Sequence, residues 1–155
     1  MNADIIIADE PLLPQVTEVY NQIFRPRLTT EALARRFLGR HNLLMLLALV
    51  SEKPVGFWIG FELKPGMFFH WMGGTVPELR RHGIARQMRE AQHAWAKEQG
   101  YEIIRAESLN NHREFVHFNI TSHYDVVGTR WDSQRAAMMV LFEHNLHEPT
   151  PPPVQ

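Results

Sequence analysis

The chain has 155 residues, 45% of them hydrophobic and 21% charged, the balance of one globular domain with enough apolar mass for a sizeable core. Lys plus Arg number 16 against 17 Asp plus Glu, so the formal charge is -1; no overall basic field draws in nucleic acid or an anionic membrane, and any anion must be bound locally. With no cysteine, disulfides, thiolate catalysis and cysteine-held metals are excluded.

The opening Met1-Asn2-Ala3-Asp4 is neither basic nor apolar, unlike a secretory leader. The longest apolar run, Leu43 to Val50, falls far short of the ~18 to 20 residues a membrane helix needs, so a cytoplasmic location is expected. Asp4 to Ala8 reads as a short strand. Pro11 and Pro14 then open a helix that carries Val16, Val19, Tyr20 and Ile23 on one stripe, until Arg25-Pro26-Arg27 breaks it. A second short helix is expected from Thr30 as N-cap, with Leu33 and Phe37 inward, ending near Gly39.

Leu43 to Ser51, Val55 to Leu63 and Met67 to Thr75, separated by Glu52-Lys53-Pro54 and Lys64-Pro65-Gly66, predict a three-strand antiparallel meander. From Gly83 to Gln99, Ile84, Met88, Ala91 and Trp95 recur at helical spacing, and Gly100 stops the helix. Glu102 to Ala106 reads as a strand, Asn111 to Ser122 as a helix, and Tyr124 to Trp131 and Ala137 to Phe142 as strands. The order is β-α-α-β-β-β-α-β-α-β-β, a mixed α/β single domain over residues 1–147. The long helix crosses between two strands, which are therefore expected to be parallel inside an otherwise antiparallel sheet. The proline run from Glu148 to Gln155 suits neither helix nor ladder and is expected to be a disordered tail.

The informative segment is Thr75-Val76-Pro77-Glu78-Leu79-Arg80-Arg81-His82-Gly83-Ile84-Ala85, where a strand runs through a basic turn into the long helix. The first amides of a helix lack intrahelical partners and the dipole there is positive, which suits a phosphate. Gly83 allows close approach, Ala85 stays small, and Arg80, Arg81 and Arg86 can add charge-assisted contacts. A glycine near a helix start is also common in solvated surfaces, so the order of the elements around it matters. No Gly-Lys-Ser/Thr follows, which excludes a Walker-type NTPase.

Arg80-x-x-Gly83-x-Ala85 at this junction resembles the acetyl-CoA signature of the GNAT N-acetyltransferases. Val55-Gly56-Phe57, Pro77-Glu78, Gly100, Glu107 to Asn111 and Tyr124 to Gly128 resemble further family segments, and in element order the likeness spans roughly residues 4 to 145. It implies a GNAT-like sheet with a parallel pair around a splayed acetyl-CoA strand. It implies acetyl-CoA as cosubstrate, with pyrophosphate on the amides of Arg81, His82, Gly83, Ile84 and Ala85 beside Arg80, and pantetheine pairing with backbone from Gly73 to Thr75. Asn110 falls at the strand end that carries the family's usual Asn. The reaction implied is transfer of acetyl to a primary amine of a small molecule or peptide, with no nucleic acid, membrane or metal involved and a homodimer left open.

Acyl transfer needs a neutral amine, a stabilised oxyanion and a proton for the thiolate. Titratable candidates for base are His70, in Phe68-Phe69-His70-Trp71-Met72, and Glu107 at the end of the neighbouring strand, with Glu62 behind them and a water chain as the alternative. The family's acid is a Tyr whose place here falls on Asn119, beside Phe118, and His123 replaces a glycine, so proton return is left to water or His117. That gap keeps open a non-catalytic acyl-CoA-binding or protein-interaction module on the same fold. His112, His117 and His123 match no metal-ligand spacing. Trp58, Phe61, Phe69 and Trp71 suit either core or an acceptor pocket, and Arg25 and Arg27 either a carboxylate clamp or a solvated loop.

Overall fold

Three long stretches of β-branched, aromatic and leucine side chains, punctuated by tight turns, make the centre of the sheet: β2 (His41–Val50), β3 (Lys53–Lys64) and β4 (Met67–Thr75). The computed structural model describes residues 1–147, and the tail expected over Glu148 to Gln155 lies outside the described residues. Before the meander come β1 (Asp4–Ile7), α1 (Leu13–Ile23) and α2 (Thr30–Arg35). After it come α3 (Ile84–Glu98), β5 (Ile103–Leu109), α4 (Arg113–Thr121), β6 (Asp125–Asp132) and β7 (Ala137–Asn145). Single 3-10 turns at Glu10–Leu12 and Pro77–Leu79 precede α1 and follow β4.

The seven strands lie in the order β1-β2-β3-β4-β5-β7-β6. All neighbours are antiparallel except β4 and β5, which are parallel, as the α3 crossover between them requires. Their pairing ends at His70 with Ala106, although β4 continues to Thr75 against β3 and β5 continues to Leu109 against β7. The two strands therefore part, and residues 71–75 keep an unpaired edge toward β5.

The pleat sends neighbouring side chains to opposite layers. Phe57 packs on Tyr20 of α1 and on Phe24 just past its end, while Trp58 faces Arg89 of α3 and Phe118 of α4. Phe57, Phe68, Phe142, Ile59 and Ile104 are fully buried, each worth about 1.5–3 kcal/mol relative to exposure.

The element order is the expected one, and the limits differ locally. The cap of α2 is Thr29 rather than Thr30: its Oγ1 accepts from the Ala32 amide at 3.1 Å, while Thr30 donates inward to Thr17 Oγ1. β3 begins at Lys53 because the turn needs only Ser51 and Glu52, both at positive φ. β5 runs on to Leu109, which brings Glu107 and Ser108 into the sheet. Met139 and Phe142 hold the β7 ladder as far as Asn145.

Candidate functional site

The turn between β4 and α3 is shaped by two residues in the left-handed region, Arg81 at φ 65° and Gly83 at φ 81°. A Cβ on Gly83 would meet only Arg86 Nη2, at 3.6 Å, so the glycine answers to backbone angle and not to crowding. Among the described residues the amides of Arg81, His82, Gly83, Ile84 and Ala85 find no acceptor, backbone or side chain. Successive free amides at a helix start form a concave donor set for an anion. Arg80 turns away, its Nε donating to the Thr75 carbonyl at 3.3 Å and tying the turn to the strand. Arg81 reaches Glu114 of α4 at 3.0 Å. Gly83 and Ala85 are half-buried, His82 is exposed and Ile84 is buried against the core.

The open edge of β4 follows directly. Gly73 and Gly74 stand opposite Trp58 and Phe57. A Cβ on Gly73 would run into the Trp58 indole and come within 2.6 Å of the Phe57 carbonyl, and one on Gly74 would press on Ile23 at 3.2 Å. The glycine pair thus serves close packing, and the same bare backbone faces the gap between the strands. Thr75 is buried at the end of that edge, and Asn110, exposed just past β5, bonds through its amide to the Met138 carbonyl at 2.9 Å.

His70 and Glu107 flank the point where the strands part but face opposite layers. His70 is 5% exposed, its Nδ1 lies 3.2 Å from Gln92 Nε2 and its ring packs on Trp58 and Phe115. Burial, with Arg89 and His93 nearby, pushes the imidazole down to about 3, so it is neutral at any working pH and a weak base. Glu107 lies on the other face, one carboxylate oxygen 2.8 Å from both Nε and Nη2 of Arg130. The neighbouring pair on that face, Arg105 and Glu143, is 2.6 Å apart. Phe61, Phe69 and Trp71 form an edge-to-face cluster there, with Arg40 over Phe61 and Trp71 and Phe37 of the α2 turn edge-on to Trp71. Trp58 belongs to the opposite, α3 layer and stands apart from this cluster. Arg25 is engaged with the Asn21 and Phe24 carbonyls at the end of α1. Glu62 is held by the Tyr101 hydroxyl at 2.9 Å, away from the splay.

The α3 and α4 side holds a group of polar residues that the apolar stripe of α3 did not reveal. Arg89, Gln92 and Asn119 are all buried, and Arg89 Nη2 donates to Asn119 Oδ1 at 2.6 Å. Beside them His93 is 2.6 Å from the Tyr124 hydroxyl and stacks on His144. Carrying the 3.6-residue period strictly from Ile84 through Met88 places Arg89, Gln92 and Ala96 inside, and that was the available signal. A cleft of about 340 Å³ bounded by Gln22, Val55, Val76 and Leu79 opens at the β2–β3 turn and touches none of these residues.

Residues 17–106, more than half of the chain, match the family model described as an acetyltransferase (GNAT) domain. Curated protein sequences give no significant match. Among solved structures the ribosomal-protein-alanine N-acetyltransferase of Escherichia coli superposes with a TM-score of 0.80 at 11% identity, over 96% of this chain and 97% of that one. An N-acetyltransferase from Staphylococcus aureus gives 0.77 at 18% identity, over 94% and 99%. The protein yncA from Salmonella typhimurium, solved with its cofactor acetyl-CoA, gives 0.74 at 15% identity, over 99% of both chains. At these identities the likeness is one of fold.

Proposed function

This chain belongs to the GNAT acetyltransferase family, and from that premise we propose that it transfers the acetyl group of acetyl-CoA to a primary amine in a ternary complex. GNAT acetyltransferases use acetyl-CoA. The observation that carries the reading is the pairing of two vacant hydrogen-bonding surfaces: the five free amides at residues 81–85 and the unpaired β4 edge at residues 71–75. The first suits a pyrophosphate, with Arg81 adding charge. The second suits an extended amide chain laid beside β4 as an extra strand, passing Gly73 and Thr75 and reaching Asn110 across the gap.

Bound acetyl-CoA supplies the activated acyl carbon. The side chains then divide by layer. Glu107, on the Trp71 face beyond the last β4–β5 pair, takes the proton from the attacking amine directly or through water, and Arg130 holds its carboxylate in place. His70, neutral and bonded to Gln92, fixes the β4 backbone at the parting point and leaves the base role to Glu107. Backbone amides of residues 71–75 are the donors for the oxyanion. The aromatic face of Phe61, Phe69 and Trp71 is the floor on which the acceptor lies. A small molecule and a peptide terminus both fit an amine on such a floor.

A second reading, an acyl-CoA-binding module without turnover, has one observation in its favour: Asn119 stands in the place of the family's phenol. Calorimetric titration with acetyl-CoA, followed by a thiol-release assay over a panel of primary amines, tests both. Binding with release supports the enzyme and binding without release supports the module. Absence of binding overturns both.

A further inference from the structure

Behind the open stretch of β4 three buried hydrogen-bond donors have no acceptor: Nε and Nη1 of Arg89 and Nδ2 of Asn119. Arg89 is 3% exposed and, among the described residues, has no carboxylate partner. Its guanidinium lies instead between rings, 4.2 Å from the centroid of Tyr124, 4.3 Å from Phe118 and 5.3 Å from Trp58. Ring faces offset part of the cost of burying the charge, but they supply no acceptor for the N–H groups. A water joining these donors to Gln92 Oε1, which is also unpartnered, would satisfy hydrogen bonds and still leave the cation uncompensated. The complement of a buried cation ringed by free donors is an anion.

The position of the cluster says which anion. Trp58 lies across Gly73 on the parted segment of β4, so one of the rings around Arg89 borders the stretch where the strands have separated. Phe115 and Phe118, both half-buried, come from α4, which starts just beyond the parted end of β5. Two groups become anionic in that gap during acyl transfer: the oxyanion, for which the amides of residues 71–75 are the donors, and the departing sulfur, which has no donor among them.

We propose that Arg89, together with Asn119 Nδ2, receives the departing CoA thiolate, a role that rests on the acyl-transfer reading above. The amine lone pair forms the new N–C bond, the C–S bond breaks with its electron pair left on sulfur, and the amine proton goes to Glu107. The thiolate accepts hydrogen bonds from Arg89 and Asn119, Arg89 keeps its own proton, and the sulfur takes one from solvent on release. A cation that holds the thiolate as an anion removes the need for a phenol to protonate it. Asn119 at the phenol's place is then the residue that keeps the guanidinium aimed, through the 2.6 Å bond to its Oδ1. Burial makes it easier for Arg89 to act strongly, since it is poorly screened there.

The test reads the sulfur and needs no acceptor amine. CoA is bound to the protein and its thiolate absorbance in the ultraviolet is followed against pH, beside free CoA in the same buffer. The wild type should lower the thiol pKa by at least about one unit, a tenfold change in ionisation. Asn119→Asp keeps the shape of the side chain but pairs a carboxylate with Arg89, so it should return the thiol to its free value while CoA still binds. Arg89→Gln should do the same, and circular dichroism checks the fold of both. A wild-type thiol that titrates like free CoA overturns the proposal while leaving acyl-CoA binding intact, and so does an Asn119→Asp protein that keeps the shift. Failure of the wild type to bind CoA overturns the proposal together with the reading beneath it.

Discussion

Arg81 of the α3 turn and Glu114 in the first turn of α4 form a 3.0 Å ion pair that spans the space between the free amides and the helix beyond β5. Both side chains are well exposed, so the pair itself adds little to stability. Its consequence is for the anion: Glu114 occupies the arginine that a pyrophosphate on residues 81–85 would use, and places a like charge beside it. Glu114→Gln should therefore tighten CoA binding about two- to fivefold at low salt, and the gain should shrink as ionic strength rises. Titration of both proteins at two salt concentrations checks this. Equal affinities at low salt would remove Arg81 from the binding turn.

Gly83 carries the sharper prediction. At φ 81° a residue with a side chain costs roughly 1–2 kcal/mol, so Gly83 is not a neutral helix-start position. Gly83→Asn, which tolerates this conformation better than most, is the matched variant. It should lose a few degrees of melting temperature at most and bind CoA several-fold more weakly. Gly83→Glu should carry comparable strain or slightly more but lose far more than tenfold in affinity, because its carboxylate sits on the amides. If the two variants bind CoA equally, charge at the turn is irrelevant and the phosphate assignment fails.

The course of the chain was legible because each element announces itself in its own period: the meander through its turn residues, α3 through Ile84 and Met88, the parallel pair through the crossover. What the sequence hid is which layer each strand residue faces once bulges intervene. β3 and β4 slip register between Ile59 and Gly60, so His70 and Gly73, three apart in sequence, both face the α3 layer with Trp58, whereas Phe61 falls by ordinary alternation on the open aromatic face. Arg89 was passed over for another reason. An apolar-period reading discards a polar residue that falls on the stripe, and only the neighbouring helix, through Asn119, shows why it is tolerated.

Acid should destabilise the protein through two histidines of that layer. His70 and His93 are both pushed down to about 3, mainly by burial, with Arg89 opposing a charge on each and His144 opposing it on His93. Unfolded, each binds its proton near 6.5. The unfolded state thus holds more protons below that value, and stability falls with pH from about 6.5 toward 3, by up to roughly 1.4 kcal/mol per pH unit for each imidazole. Above 6.5 neither contributes a slope. Urea melts at pH 8, 7, 6, 5 and 4 should show a plateau and then a decline. His93→Gln, which keeps a partner for the Tyr124 hydroxyl, should flatten that decline by about half. A wild-type curve that is level from 7 to 4 would mean that these rings charge freely.

The base assignment separates the two faces of the sheet. Glu107→Gln preserves volume and leaves an oxygen for Arg130 to hold, so the fold and the acetyl-CoA site should be unchanged. Loss of a general base should cost about a hundredfold or more in kcat with the best amine of the panel. Because a free amine reacts without that base once solvent has deprotonated it, the variant's rate should climb steeply with pH, while that of the wild type levels off. His70→Gln makes the opposite perturbation. It disturbs a buried ring bonded to Gln92 and packed on Trp58, so it should lower the melting temperature clearly yet reduce kcat less than tenfold in the protein that remains folded. The measurement is kcat and KM for both variants from pH 6 to 10, with acetyl-CoA affinity by titration. A Glu107→Gln enzyme with a wild-type pH profile, beside a His70→Gln enzyme that has lost turnover, would move the proton transfer to the α3 layer.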